Sequence, residues 1–284
     1  MWKDVNKLAG FAAVLAALFG VGALAGGVLD PYGDDTAAAR DQDHAGDEAM
    51  AGHGQPAAAV RGLAVAQDGL RLEIDDPDLR RNRTETVRFR IVDGSGAIVR
   101  DFDVEHTKRM HLIVARRDLT GFQHLHPTMA GDGTWSTPLR LSDAGSYRLF
   151  ADFSHDGKAE TLASDLRVDG SATLAELPAP SARAITDGGY TVDFDAAAAR
   201  AGSEAELAFR VSKDGRPVKV EPYLGAGGHL VALREGDLAF LHVHPDGDDT
   251  RFMTTFPTAG RYRLFLQFQV HGQVETVAFT QEVA

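Results

Sequence analysis

The second half of this 284-residue chain repeats the first half, and the repeated segments have the pattern of short β-strands between turns. ETVRFRIVDGSGAIV (85–99) is echoed by AELAFRVSKDGRPV (205–218), and DAGSYRLFADF (143–153) is echoed by TAGRYRLFLQF (258–268). Beyond the N-terminus, no long segment has the 3.6-residue period of an amphipathic helix. Regularly spaced short strands are typical of β-sandwiches and barrels. The sequence therefore predicts an all-β protein with two tandem domains.

Each repeat contains a Gly-x-Tyr sequence that leads into a strand, at Tyr147 and at Tyr262. This pattern resembles the tyrosine corner of immunoglobulin-like sandwiches, in which the phenol hydroxyl bonds back to the backbone of the turn. Leu149 and Leu264 stand where antibody domains carry their second cysteine, so that disulfide is absent here. We expect two tandem immunoglobulin-like β-sandwiches, with a cupredoxin-like variant of the sandwich as the alternative.

Composition divides the chain into segments of different character. Residues 30–59 contain seven acids and one base and almost no large apolar side chain, so they cannot bury a core. Pro178 and Pro180 mark a linker between the repeats. The predicted segments are a signal anchor or transmembrane helix (1–29), a disordered acidic tether (30–59), a first sandwich (60–169), a linker (170–183) and a second sandwich (184–284).

Residues 8–29 form an uncharged apolar run. As a helix this run spans roughly 33 Å, which is enough to cross a bilayer core. Lys3 and Lys7 precede it and acidic residues follow it, so the N-terminus is expected to stay in the cytoplasm. The sequence predicts a single-pass protein of the cell membrane with both sandwiches outside the cytoplasm. A secreted protein, cleaved near Ala25, is the alternative.

Charge and residue types exclude several classes of function. The net charge of −12 argues against nucleic acid as a partner. The chain has no cysteine, which removes disulfides, thiolate metal sites and blue-copper centres. No nucleophile elbow, phosphate-binding loop or His-Glu-x-x-His motif is present, so no catalytic residue is assigned and an enzyme is not expected. A metal-dependent hydrolase or oxygenase stays open as a third interpretation.

Two histidine triplets are the feature that points to chemistry. They lie in MHLIVARRDLTGFQHLHP (110–127) and in GHLVALREGDLAFLHVHP (228–245), 118 positions apart, and comprise His111, His124 and His126, then His229, His242 and His244. Residues two apart on a strand share a face. A hairpin with a two- or four-residue loop pairs odd positions with even ones. The histidine on the first strand, His111 or His229, therefore lies on the same face as the two histidines on the second strand. We expect each triplet to gather at one rim of its own sandwich.

Three neutral imidazoles at one point suit Cu²⁺, Zn²⁺ or Ni²⁺. Met129 follows the first triplet, and because a thioether favours Cu(I), Met129 joins the candidate ligands. A bound copper or zinc ion is the expected cofactor. Duplication copies structural residues as faithfully as ligands, however, so a metal-free, hydrogen-bonded cluster at each rim is the competing interpretation.

The two quoted segments resemble those of uncharacterised exported or membrane-anchored bacterial proteins, especially actinobacterial ones, with repeated His-x-His-Pro β-sandwich domains. The resemblance covers residues 60–284 and implies an envelope location, a β-sandwich fold and a role in heavy-metal or copper handling. The expected function is binding or buffering of a transition metal, copper ahead of zinc. The alternative is a metal-free interaction module whose partner is another envelope protein.

Overall fold

The structure, a computed structural model, describes residues 60–196, 198–243, 245, 247 and 249–284. All regular secondary structure in these ranges is β-strand, which confirms the all-β prediction. Within them, no helix is long and apolar enough to cross a membrane. The anchor predicted at 1–29 and the tether predicted at 30–59 lie outside the described residues and stay predictions.

The first repeat folds into two facing sheets. Its strands are β1 (Ala66–Gln67), β2 (Leu70–Ile74), β3 (Asp78–Leu79), β4 (Thr84–Asp93), β5 (His111–Arg116), β6 (Gln123–Leu125), β7 (Thr128–Met129), β8 (Trp135–Arg140), β9 (Gly145–His155) and β10 (Lys158–Val168). One sheet has the order β1-β2-β4-β8-β7 and the other the order β3-β10-β9-β5-β6. Alternate side chains from the two sheets fill the first core, as in β4, where Val87, Phe89 and Ile91 are buried.

The second repeat builds the same architecture. Its strands are β11 (Arg183–Ile185), β12 (Thr191–Ala196), β13 (Glu204–Lys213), β14 (Arg216–Pro217), β15 (His229–Arg234), β16 (Phe240–Val243), β17 (Arg251–Thr255), β18 (Gly260–Val270) and β19 (Gln273–Val283). One sheet has the order β11-β12-β13-β14, with β17 also paired to β13, and the other has the order β16-β15-β18-β19.

Both predicted tyrosine corners are present. The Tyr147 hydroxyl donates to the Asp143 carbonyl at 2.9 Å, and the Tyr262 hydroxyl donates to the Thr258 carbonyl at 2.9 Å. Both rings are almost fully buried, so each hydroxyl needs such a partner. Each repeat is therefore an immunoglobulin-like sandwich, as predicted.

The two sandwiches share a third apolar cluster, which we call the interface core. Strand β5 shows its origin: Leu112 and Val114 point into the first core, while Ile113 and Ala115 point away from it. The outer faces of sheets β3-β10-β9-β5-β6 and β16-β15-β18-β19 therefore pack on each other. The interface core contains Ile113, Ala115, Leu119, Phe150 and Ala163 from the first sandwich and Val231, Leu233, Leu238, Phe240 and Phe265 from the second.

Candidate metal centre

The three histidines of the first triplet lie on one face of their hairpin, as the pairing of odd with even positions predicts. In the β5–β6 pair, Ile113 is opposite His124 and Leu112 is opposite Leu125. His111, His124 and His126 therefore lie on one face, and one ring nitrogen from each lies within 4.8 Å of the other two. Met110, one position before His111, is buried in the first core.

The second hairpin has the same register. Leu230 is opposite Val243 and Val231 is opposite His242, so His229 and His242 share a face. His244 lies outside the described residues, and its role as a ligand stays a prediction. The hairpin geometry alone therefore brings together the described members of each triplet.

The structure differs from the expectation of one site at each rim. Because the outer faces of the two hairpins pack on each other, the described histidines form one cluster between the sandwiches. The ring centroids of His111 and His242 are 5.2 Å apart, those of His124 and His242 are 5.3 Å apart, and those of His124 and His229 are 5.7 Å apart. A second group whose ring nitrogens lie within 4.8 Å of one another, His111, His229 and His242, takes residues from both sandwiches.

Two pairs of ring nitrogens face each other inside this cluster. His111 Nδ1 lies 3.1 Å from His124 Nε2, and His229 Nδ1 lies 3.4 Å from His242 Nε2. The pairs are equivalent by the repeat, and each uses one Nδ1 and one Nε2. We call these four atoms the inner nitrogens.

The other nitrogen of each ring, the outer nitrogen, contacts an oxygen acceptor. In His111 and His229 the outer Nε2 lies near a backbone carbonyl six residues earlier, that of Glu105 at 3.4 Å and that of Tyr223 at 3.1 Å. The remaining two contacts cross between the sandwiches. His124 Nδ1 lies 2.8 Å from Gln267 Oε1, and His242 Nδ1 lies 2.8 Å from Asp152 Oδ2.

These acceptors favour one tautomer of each ring. A carbonyl or carboxylate oxygen only accepts hydrogen bonds, so a ring that bonds to one of them carries its proton on the outer nitrogen. The Gln267 amide is oriented with its oxygen toward His124 because its nitrogen donates to Thr276 Oγ1 at 3.1 Å. In a neutral ring, the proton on the outer nitrogen leaves a lone pair on the inner nitrogen. An inner nitrogen in this tautomer can bind a metal ion.

Burial keeps these rings neutral. Burial, followed by the charge of the neighbouring histidines, lowers the pKa of His111 to about 4 and the pKa of His126 and His229 to about 3. Burial also lowers the pKa of His124 and of His242. Neutral imidazole is the form that binds metal ions. At neutral pH the cluster is therefore in the state that a ligand set requires.

The spacing of the inner nitrogens fits a transition-metal ion. At Zn–N distances of 2.0–2.1 Å, tetrahedral ligands are about 3.3 Å apart along each edge. The observed separations of 3.1 and 3.4 Å bracket that value. Histidine ligands usually donate their second ring N–H to a carboxylate or carbonyl, which is the arrangement seen at all four rings. Each facing pair therefore has the chemistry and spacing of two imidazole ligands on one ion, and the two groups of three histidines show which further rings lie close enough to join them.

The surroundings of His126 and Met129 differ from those of the four histidines described above. The His126 ring centroid is 5.1 Å from that of His111 and 4.8 Å from that of His124, and its buried Nε2 has no hydrogen-bond partner among the described residues. His126 can therefore supply a further nitrogen at the edge of the cluster. Met129 packs against the first core and lines the same recess as His126, and its role as a ligand stays a prediction.

Sequence reasoning missed the acceptors, above all Asp152 and Gln267. They hold the same place in the two repeats, DAGSYRLFADF and TAGRYRLFLQF, 115 positions apart. In the sheets, Asp152 is the Cα partner of His111 and Gln267 is the Cα partner of His229. A polar residue at matched positions between apolar neighbours, as in FADF and FLQF, is a signal that could have marked them.

A family profile described as Domain of unknown function (DUF8832) matches the chain twice, over residues 64–170 and 184–284. The chain belongs to this family. The two matches coincide with the two sandwiches, so each sandwich of this DUF8832 protein is one copy of the family domain. No curated protein matches the chain.

Several solved structures are similar to the DUF8832 chain. Salmonella alpha-2-macroglobulin has 13% identity and a TM-score of 0.29 over 80% of this chain and 15% of its own. The Escherichia coli adhesin FdeC has 16% identity and a TM-score of 0.27 over 78% and 66%. A two-domain fibronectin type III segment of chicken tenascin has 13% identity and a TM-score of 0.23 over 74% and 97%. The chain spans less than two thirds of the length of the first two. With TM-scores this low, the fold assignment rests on the sheets and tyrosine corners of the chain itself.

Proposed function

We propose that this protein binds a transition-metal ion, copper ahead of zinc, at a single centre between its two sandwiches. The four inner ligands are His111 and His124 from the first sandwich and His229 and His242 from the second. The uncharged run 8–29 and the lysines before it favour a membrane-anchored protein that binds the metal outside the cytoplasm.

The observation that carries the proposal is the pair of histidine groups whose ring nitrogens lie within 4.8 Å of one another, one of which takes residues from both sandwiches. In the absence of a metal ion, one neutral ring of each facing pair can donate its N–H to the other. Burial lowers the pKa of all four rings, so none of them carries the second proton that would compete with a metal ion. A metal ion bound at this cluster would be held by rings whose outer nitrogens have oxygen acceptors, as is usual for histidine ligands.

The donor set favours copper or zinc. Imidazole is a borderline ligand that suits both ions, and for nitrogen sites the affinity order of divalent ions peaks at Cu²⁺. The chain has no cysteine, so thiolate competition is absent. The order of copper ahead of zinc therefore follows from nitrogen ligation and does not require Met129.

The site favours binding over catalysis. His111 is 3% exposed and His229 is 1% exposed, so the centre is shielded from solvent. If all four imidazoles bind the ion, they fill a tetrahedral shell, whereas a catalytic zinc site keeps one position open for water or substrate. Storage, buffering or structural use of the ion is therefore the proposed role.

The test is metal content and metal-dependent melting of the purified full chain. We expect about one copper or zinc ion per chain, and a melting temperature that rises with metal concentration because the ion binds only the folded state. His124→Gln combined with His242→Gln should abolish both effects. His155→Gln combined with His271→Gln is the matched control, since His155 contacts the Asp101 carbonyl and both residues lie at exposed hairpin turns. A wild-type chain that binds neither metal would show that the cluster is only hydrogen-bonded.

A further inference from the structure

The two acceptors that cross between the sandwiches differ in charge. His242 donates to a carboxylate, that of Asp152, whereas His124 donates to the neutral amide of Gln267. Everything else about the two contacts is matched. Both have a length of 2.8 Å, and both involve an Nδ1 atom of the second strand of a hairpin.

The surroundings of the two acceptors are also matched. Asp152 Oδ1 accepts from the Thr161 hydroxyl at 2.7 Å, and Gln267 Nε2 lies 3.1 Å from the Thr276 hydroxyl. In the sheets, Asp152 is opposite Thr161 and Gln267 is opposite Thr276. The repeat has therefore kept the backbone position and the neighbouring threonine, while the charge differs between the two copies.

We propose that Asp152 is a positioning residue that adds one negative charge beside the metal centre and biases the centre toward divalent ions. This inference rests on the proposed metal function. Asp152 acts through His242 and does not itself bind the ion. Gln267 holds His124 in the same tautomer without adding charge, so the centre has one charged and one neutral crossed contact.

The physical reason is that Coulomb attraction scales with the charge of the ion. At the same distance, the Coulomb energy between a carboxylate and a divalent ion is twice that between a carboxylate and a monovalent ion. The contact is sheltered from solvent, with the His242 side chain 4% exposed and the Asp152 side chain 17% exposed, so screening is weak. A carboxylate on the outer N–H also makes the imidazole a stronger donor. Burial raises the pKa of Asp152, and the positive charge of Arg61, which lines the same recess, favours the ionised carboxylate.

The experiment compares a divalent and a monovalent probe on the full chain. Zn²⁺ and Ag⁺ serve as probes because neither changes oxidation state during the titration. We expect Asp152→Asn, which keeps the size and the acceptor oxygen, to weaken Zn²⁺ binding by about 10- to 100-fold. Ag⁺ binding should weaken by clearly less. Asp195→Asn, which removes an exposed charge beside Arg210, is the control and should change neither affinity.

A charge-swapped variant separates charge from structure. Asp152→Asn combined with Gln267→Glu moves the carboxylate to the equivalent place beside His124, where the Thr276 hydroxyl can turn to donate. This variant should recover most of the Zn²⁺ affinity and the preference of Zn²⁺ over Ag⁺. Gln267→Glu alone should raise that preference above wild type, and this variant keeps the test available if Asp152→Asn does not fold.

The outcomes distinguish the two proposals. If the wild-type chain binds neither probe, the proposed function itself fails. If it binds both but Asp152→Asn weakens both equally, or changes neither, then Asp152 has only a structural role or none, and the charge assignment is overturned. Failure of the swapped variant to recover Zn²⁺ affinity would overturn it as well.

Discussion

The ring of Phe122 in the first sandwich stacks on the ring of Phe265 in the second, with centroids 4.1 Å apart and planes inclined by 6°. Phe240 stacks on Phe150 in the same way, with centroids 4.9 Å apart. By the repeat, Phe122 corresponds to Phe240 and Phe150 corresponds to Phe265. The second stacked pair is therefore equivalent to the first, with the two sandwiches exchanged. The interface is therefore approximately two-fold symmetric, like that of a homodimer. The crossed contacts of His124 and His242 obey the same symmetry.

Loss of an interface aromatic should weaken metal binding as well as stability. We expect Phe240→Ala to lower the free energy of unfolding by roughly 3 to 5 kcal/mol, since its ring is fully buried. It should also lower copper affinity, because the stacked rings help to set how the two hairpins face each other. Phe194→Ala, in the core of the second sandwich, should cost similar stability without changing the copper affinity of the folded protein. Copper titrations of the two variants, at a temperature below both melting temperatures, compare their affinities. Equal affinities in both variants would contradict it.

A glycine beside the interface should be irreplaceable for two reasons. Gly62 has a φ of +73°, and a Cβ atom there would lie 2.6 Å from Cβ of Phe240 and 2.9 Å from the ring of Phe150. The backbone next to Gly62 is held close to Phe240, because the Phe240 N–H donates to the Arg61 carbonyl at 3.0 Å. We therefore expect Gly62→Ala to lower the melting temperature strongly.

Gly69→Ala is the matched control for this substitution. Gly69 has a φ of +80°, but nothing lies within 4 Å of the added Cβ, so only backbone strain of about 1 kcal/mol is expected. Thermal melts of both variants compare backbone strain alone, in Gly69→Ala, with backbone strain plus a steric clash, in Gly62→Ala. Similar losses in the two variants would show that the close approach is unimportant.

A buried carboxylate in β10 should destabilise the protein at neutral pH. Glu160 is 4% exposed, and its Oε2 has no hydrogen-bond partner among the described residues. Burial raises the pKa of Glu160, so the folded state favours the protonated form. That preference stabilises the fold below the unfolded pKa of 4.5 and is lost as the pH rises through the folded pKa. At pH 7, Glu160→Gln should therefore raise the free energy of unfolding by about 1 kcal/mol.

The pH dependence checks the assignment of Glu160. The gain in melting temperature should be about 2–4 °C at pH 7 and should shrink at pH 4, where Glu160 is mostly protonated in both states. Glu85→Gln is the contrasting control, because hydrogen bonds from the backbone and side chain of Arg80 lower the pKa of Glu85. It should give no gain at pH 7. An equal gain from Glu160→Gln at both pH values would point to packing as the cause.

Separating the two sandwiches should expose the interface core and divide the metal centre. The sequence favours independent folding of residues 60–170 and 184–284, but each half contributes large buried side chains to the shared cluster. We expect each fragment to melt below the intact chain and to bind a dye specific for apolar surface. Neither fragment should bind copper as tightly as the whole, and mixing them should restore part of the affinity. A single fragment with full affinity would place a complete site in one sandwich.

The strands and turns could be predicted because they depend on local rules. Short apolar-rich segments such as LRLEI (70–74) and HLIVAR (111–116) form strands β2 and β5, and Tyr147 forms the predicted corner. The common face of His111, His124 and His126 also followed from the sequence, since pleating fixes which residues of a hairpin share a face. These features involve residues close together in the chain, so few conformations compete with them.

The sequence by itself determined the two sandwiches and the composition of each triplet, and only the tertiary structure decided that the triplets meet. The pairing of His124 with Gln267 and of His242 with Asp152 joins residues 143 and 90 positions apart. Their contact depends on how two sheets pack, which is set by the summed burial of Ile113, Phe150, Phe265 and their neighbours and leaves no periodic signal near the histidines. Local geometry therefore directed each histidine to a face of its sheet, and the apolar area of the interface core placed those faces together.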